Sequence, residues 1–215
     1  MQKLEHMMLS LDDKLRDDML KRYSNELQKL EHVLDSYIAT KTIPSLNALL
    51  GEKMAYFLKK TQEAVITNFE SLIPDSEKTS VMSAVYVKCE GDLHIGVLWY
   101  VLEEELKPLA EKLLEGYHLN EFDKIAISSI SEIGNILTAS IVNAIYDDKG
   151  CKMWASVPGF ATESLNTLLE VVMADFGDQS DTVVISTVEF RGISSGIRLQ
   201  MLLIQDPKES KRLIS

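Results

Sequence analysis

The chain has 215 residues, 46% of them hydrophobic and 26% charged, which is enough apolar material for one large packed domain and excludes a disordered chain. A formal net charge of −11 argues against nucleic acid and anionic membrane surfaces as partners, because both select a basic footprint. Two cysteines in separate segments, Cys89 and Cys151, and four scattered histidines exclude a disulfide framework and a His/Cys metal box.

No apolar run has the length of a membrane span, and the first residues lack the apolar core of a secretion signal, so a cytoplasmic protein is expected. Residues 1 to about 40 contain no Gly or Pro. Leu4, Met8, Leu11, Leu15, Met19, Tyr23, Leu27, Leu30, Leu34 and Tyr37 recur there at steps of three and four. Four-residue steps between Leu15 and Leu27 break a strict heptad, so one long amphipathic helix and a helical hairpin are both open. Such a stripe needs an apolar partner: its own domain, a second copy in a homodimer, or another protein. Ile43-Pro44-Ser45 breaks the pattern, and a helix is predicted from about Leu46 to Thr61. A first strand is predicted within residues 64–73, ending in a turn at Ile73-Pro74-Asp75. Val81 to Lys88 and Leu93 to Leu102 are β-rich runs joined by Glu90-Gly91-Asp92, which predicts a hairpin. Glu103-Glu104-Glu105 then opens a helix to about Glu115, with its acids where the helix dipole favours them. Pro108 sits near that first turn or kinks it.

Ser128 to about Tyr146 reads as the next helix. At 100° per residue, with Ser128 at zero, Glu132 lies near about 40° and Asn135 near about −20°. Ile130, Ile133, Leu137, Ile141 and Ala144 fall on the opposite side. The core claims one face, and a serine, a carboxylate and a carboxamide share the other. Ala139 extends that polar stripe with a small side chain and keeps it flat. Ser129 and Glu132 have the spacing of a capping box, which is the structural alternative for Glu132. Asn135 has no cap to serve and one turn in costs a few tenths of a kcal/mol relative to Ala, so its structural alternative is a plain solvated face, which the helix alone favours over a functional one. A turn at Asp147-Asp148-Lys149-Gly150 leads to a short extended piece, Cys151 to Val157, and to Pro158. A helix from Ala161 to about Phe176 follows, and then a second hairpin from Thr182–Phe190 and Ile197–Ile204. Asp206-Pro207 ends the fold, and the charged residues beyond it are expected to fray.

The spacing Ser128-x3-Glu132-x2-Asn135-x22-Pro158 resembles the signature of the CheC/CheX/FliY chemotaxis phosphatases, and Glu132-Ile-Gly-Asn135-Ile reads like that family's helix. These residue types meet at these offsets by chance in on the order of one chain of this length in 300. The resemblance covers about residues 43–206, with its specific residues in 128–158. It implies an α+β fold, an antiparallel sheet with packed helices in a CheC-like pseudo-repeat. The division expected is an N-terminal helical extension (1–42), a CheC-like phosphatase domain (43–206) and a charged tail (207–215). The pseudo-repeat would place a first site at Ser45-x3-Leu49-x2-Glu52, with Gly51 where Gly134 stands later. Leu49 there cannot pair with a cation, and an ionised Glu52 accepts but cannot donate, so this first site is degenerate.

By the same resemblance the substrate is a CheY-like receiver domain carrying an aspartyl phosphate beside a Mg2+ and a Lys. Glu132 would pair with that Lys, and Asn135 would hold the attacking water in line with phosphorus. Ser128 and Pro158 would be structural, as a helix start and a fixed strand-to-loop bend. The Mg2+ would belong to the partner, with no cofactor of the chain's own. The rival reading is a non-catalytic module of the same superfamily, a flagellar-switch component or a partner of a receiver domain or of the deamidase CheD. Classical hydrolases are poorly supported: there is no P-loop, and the Gly-x-Ser-x-Gly run at Gly192–Gly196 lies between the two β-rich runs of a predicted hairpin, not at a strand-to-helix elbow.

Overall fold

A computed structural model describes residues 13–73, 77, 80–114, 124–177 and 180–215. The chain opens with α1 (Asp13–Tyr37), which runs through a π turn (Ile38–Thr42) into α2 (Ile43–Leu50). Pro44 was expected to break the helix, and the π turn absorbs it. Pro44 has no N–H to give, and its ring would clash with the carbonyl one turn back. Widening that turn lets Ile43 N–H donate to the Ile38 carbonyl instead. The apolar stripe before residue 13 lies outside the described residues. From Leu30 onward it packs on the domain's own core: Leu30, Leu34 and Ile38 are buried, each Leu contributing about 1.5–3 kcal/mol.

The helix predicted to reach Thr61 ends at Leu50. Gly51 closes it in the left-handed conformation at φ 63°, and Asn47 Oδ1 accepts from Met54 N–H at 2.7 Å. The chain continues as β1 (Met54–Val65), so the first strand begins ten residues earlier than expected, and a 3-10 segment (Ile66–Leu72) succeeds it. Next come β2 (Val81–Gly91), β3 (Ile95–Leu102), α3 (Glu103–Leu113) and α4 (Lys124–Lys149). The second half continues with β4 (Met153–Ala155), β5 (Gly159–Ser164) and α5 (Leu165–Gly177). It closes with β6 (Thr182–Gly192), β7 (Arg198–Gln205) and α6 (Pro207–Leu213).

The seven strands form one sheet in the order β1-β6-β7-β3-β2-β4, with β5 also on β2. The described pairings are all antiparallel. Each half reads helix, left-handed glycine, strand, helical segment, hairpin, helix. The halves exchange strands, since β1 pairs with β6 and β5 pairs with β2. Alternation along the strands sorts the core into two layers. Val85, Val87, Val97 and Trp99 face α1 to α4, while Met82, Ala84, Leu98 and Leu202 face α5.

Two further expectations are corrected. Residues 161–164 were read as helix, but they belong to β5 and pair with β2; α5 starts after Ser164, whose Oγ accepts from Thr167 N–H at 3.2 Å. The tail expected to fray is α6. Asp206 caps it by accepting from Lys208 N–H at 2.7 Å, Pro207 occupies its first turn, and Leu213 is fully buried.

The sheet's outer strand β1 has an open edge, and α1 lies along it. Glu31 Oε1 accepts from the Thr61 backbone N–H at 2.9 Å, Tyr56 hydroxyl donates to Asp35 at 2.8 Å, and Tyr23 hydroxyl donates to Glu63. A backbone donor that would otherwise invite another strand is thereby occupied.

Candidate functional site

α4 runs 26 residues and packs on the sheet through Ile130, Ile133, Leu137, Ile141 and Ala144, as the periodicity predicts. It approaches the sheet closely at Gly134. A Cβ there would lie 2.3 Å from Val85 Cγ1 and 3.0 Å from Val85 Cβ. The helix therefore rests directly on β2, with hydrogen in place of a side chain. Trp99 Nε1 donates to Thr138 Oγ1 at 3.4 Å one turn later. The C-terminal half is tied to the first helix: Tyr37 hydroxyl donates to Asp148 at 2.6 Å, and Lys41 pairs with Asp147 at 2.8 Å.

On the opposite face Ser128, Glu132 and Ala139 are exposed and Asn135 is half-buried. Glu132 and Asn135 stand one turn apart, with side-chain roots about 5–6 Å from each other. Among the described residues, neither side chain has a hydrogen-bond or ion-pair partner. α4 begins at Lys124, so Ser128 and Ser129 lie inside the helix. Ser128 is not the helix start, and the capping alternative for Glu132 falls away because the backbone N–H groups there are already within the helical ladder.

Pro158 lies where the sheet edge changes register. Cys89 is paired with Ala155 and Tyr86 with Gly159, so three residues on the edge face two on β2. Ser156 bridges the irregularity: its N–H donates to the Lys88 carbonyl at 2.7 Å, and its Oγ accepts from Lys88 N–H at 3.1 Å. Pro158, lacking an N–H, occupies the break without wasting a donor. β4 and β5 both touch α4, which sets this bulge on the sheet edge beside the helix. Val157 at 88% exposure and Trp154 at 71% stand out from it, an apolar pair that sequence reading passed over. The available signal was two large apolar residues in a short extended piece just before a proline.

The degenerate first site is not assembled. Ser45 Oγ donates to the Lys41 carbonyl at 2.9 Å on α2, and Leu49 packs half-buried against the main core. Glu52 lies past the helix end and not on its face. By its place in the topology, Gly51 (φ 63°) answers to Gly150 (φ 69°), the residue that ends α4, and not to Gly134. Glu52 is instead a latch. Its side chain is 4% accessible and takes hydrogen bonds from Ser194 N–H (2.9 Å), Ser195 N–H (3.0 Å) and Ser195 Oγ (2.6 Å), with Lys112 Nζ at 3.2 Å. Burial pushes its pKa up, but those donors outweigh it and hold the carboxyl at about 2. A depressed pKa contributes stability above the unfolded value near 4.5, and this is lost as pH falls from there toward 2. Glu52→Ala is expected to cost about 1–3 kcal/mol at neutral pH, with the gap to the native chain closing in urea unfolding near pH 2. An equal gap at both pH values contradicts the latch.

Among the described residues no group of three or more His, Cys, Asp and Glu side chains could hold a metal, and no helix is long and apolar enough to cross a membrane.

No family model and no curated protein matches the chain. Solved structures do. FliY of Thermotoga maritima superimposes with a TM-score of 0.66 at 14% identity, over 88% of this chain and 93% of that one. A chain of the FliM–SpeE complex of H. pylori gives 0.61 at 12% identity, over 88% and 92%. A chain of the CheX–CheY–BeF3–Mg2+ complex of Borrelia burgdorferi gives 0.51 at 18% identity, over 84% and 99%. The chain thus has a CheC/CheX/FliY-type fold, α+β with an antiparallel sheet, helices on both faces and a helix ahead of the first strand.

Proposed function

We propose that this protein hydrolyses the aspartyl phosphate of a CheY-like receiver domain, with Glu132 and Asn135 as the working pair. The observation that carries the reading is an exposed carboxylate and a half-buried carboxamide, neither with a partner among the described residues, on the outer face of a helix packed closely against the sheet. A carboxamide both donates and accepts, so Asn135 can hold one water by its lone pair and its proton while aligning it with phosphorus. The water oxygen bonds to phosphorus as the bond to the aspartyl oxygen breaks, releasing the carboxylate and inorganic phosphate. Catalysis is by positioning, and no side chain of this protein becomes covalently linked. Glu132, acceptor-only, would meet the receiver's Lys and fix the orientation. The Mg2+ belongs to the receiver. The similarity in fold to a chain solved together with CheY supports the choice of partner.

The exposure of Trp154 and Val157 on the sheet edge favours a second reading, a receiver-binding module without turnover, since apolar anchors serve docking and not hydrolysis. Phosphate release separates the two, and Glu132→Gln tests the role of the carboxylate. For the phosphatase, KM for the phosphorylated receiver rises about fivefold to tenfold with kcat retained, since one charge pair at an interface is worth on the order of 1 kcal/mol. Binding of the phosphorylated receiver with no phosphate release by the intact protein would establish the module instead.

A further inference from the structure

The sheet face opposite α4 is covered over only part of its width. α5 lies on Met82, Ala84, Leu98, Val183 and Leu202, and Phe69 and Ile73 pack against the same layer. A cavity of about 190 Å³ opens there, between the start of α5 and strands β1, β6, β7 and β3. Leu169, Ile185 and Leu202 make its apolar floor.

The polar groups on its lining are arranged by the sheet. Tyr100 is 4% exposed, and its hydroxyl donates to Gln200 Oε1 at 3.1 Å. That bond fixes the amide and leaves the Gln200 Nε2 hydrogens as donors. Thr187 adds a hydroxyl on the neighbouring strand. Three charges line the cavity: Lys59, Lys60 and Glu77. Lys59 is taken up by Glu189 at 2.5 Å, and that carboxyl is held below the usual range first by the Lys59 contact. Among the described residues, Lys60 and Glu77 have no ion-pair partner. The lining therefore offers one cation with neutral donors, one anion, and an apolar floor between them.

We infer that this cavity binds a small amphoteric molecule, the size and kind of a free apolar amino acid. Its carboxylate meets Lys60, Gln200 Nε2 and Thr187, its ammonium meets Glu77, and its hydrocarbon part covers Leu169, Ile185 and Leu202. The volume corresponds to about six waters at roughly 30 Å³ each, which such a ligand displaces from partly apolar surface. A simple anion leaves Glu77 repelled, and a simple cation leaves Lys60 repelled. The site lies on the face opposite Glu132 and Asn135 and is independent of the phosphatase reading.

The test is a titration of the full 15N-labelled chain with three probes of one shape: L-leucine, 4-methylpentanoate and 3-methylbutylamine. L-leucine is expected to shift the amides of Leu169, Ile185, Thr187 and Gln200, with each single-charge analogue at least about tenfold weaker for the loss of a charge-assisted contact. Lys60 is exposed, so Lys60→Gln folds. In that variant the advantage of L-leucine over the amine is expected to vanish, while its advantage over the carboxylic acid stays. Absence of these shifts with L-leucine, equal binding of all three probes, or an unchanged ranking in Lys60→Gln overturns the assignment.

Discussion

Asn135→Ala is expected to abolish the acceleration of phosphate loss while leaving the fold untouched. The amide is half-buried on the outer face of α4 and has no partner among the described residues, so truncation empties no cavity and orphans no buried group. Ala is also the better helix former by a few tenths of a kcal/mol, so the melting temperature should hold or rise slightly. The chemistry loses the carboxamide that accepts from and donates to one water. A hundredfold acceleration corresponds to about 2.7 kcal/mol off the barrier, within reach of one well-placed amide, and all of it should disappear. Stopped-flow or radiolabel decay of the phosphorylated receiver measures the rate, and thermal unfolding measures the fold. Asn135→Asp keeps the size and the acceptor but loses the donor, and it should be nearly as inactive. Full activity in the Asp form would show that donation from residue 135 plays no part.

The second large effect is at Gly134. Replacing Gly by Ala inside a helix ordinarily stabilises by about 0.8–1 kcal/mol. Here the new methyl would sit 2.3 Å from Val85 Cγ1, and Val85 is β-branched, buried and anchored in β2 between β3 and β5. Overpacking of this kind costs about 1–3 kcal/mol, so the clash wins over propensity. The helix must lift or tilt, and Glu132 and Asn135 move with it. A displacement of about 1 Å in a positioning catalyst costs on the order of a hundredfold in rate. Val85→Ala makes room for the added methyl. Alone it leaves a void and destabilises; combined with Gly134→Ala it should cost less than the two single changes added together, by at least about 1 kcal/mol. Urea unfolding of the four proteins gives the coupling. Strict additivity would show that Gly134 and Val85 do not meet.

The outer face of α4 was legible because helical periodicity depends only on spacing, and the apolar residues at 130, 133, 137, 141 and 144 leave 128, 132 and 135 together on the far side. Both hairpins were legible for the same reason, with alternation strongest where one face is buried. Legibility failed where a local signal had two structural meanings. Gly51 could stand within a helix against a strand, as Gly134 does, or end a helix in the left-handed conformation, as it in fact does. The choice decided whether Glu52 faced a partner or closed a loop. Pro44 looked like a boundary because its missing N–H normally ends a helix, yet one widened turn suffices to carry the chain through. Ser129 and Glu132 have capping-box spacing, but the box has meaning only where backbone donors are free, and α4 starts too early for that. The charged residues after Pro207 concealed Leu213, whose burial holds α6 in place. The cavity beside α5 needs strands from both halves of the chain, a juxtaposition that exchange of partners between the two hairpin units creates.

The most direct measurement is the rate of phosphate loss from a receiver domain of the same organism, phosphorylated in the presence of Mg2+, alone and with the intact protein at substoichiometric amounts. Multiple turnovers and an acceleration on the order of a hundredfold are expected. A rate no faster than the receiver's own, for every receiver domain of that organism, would contradict it.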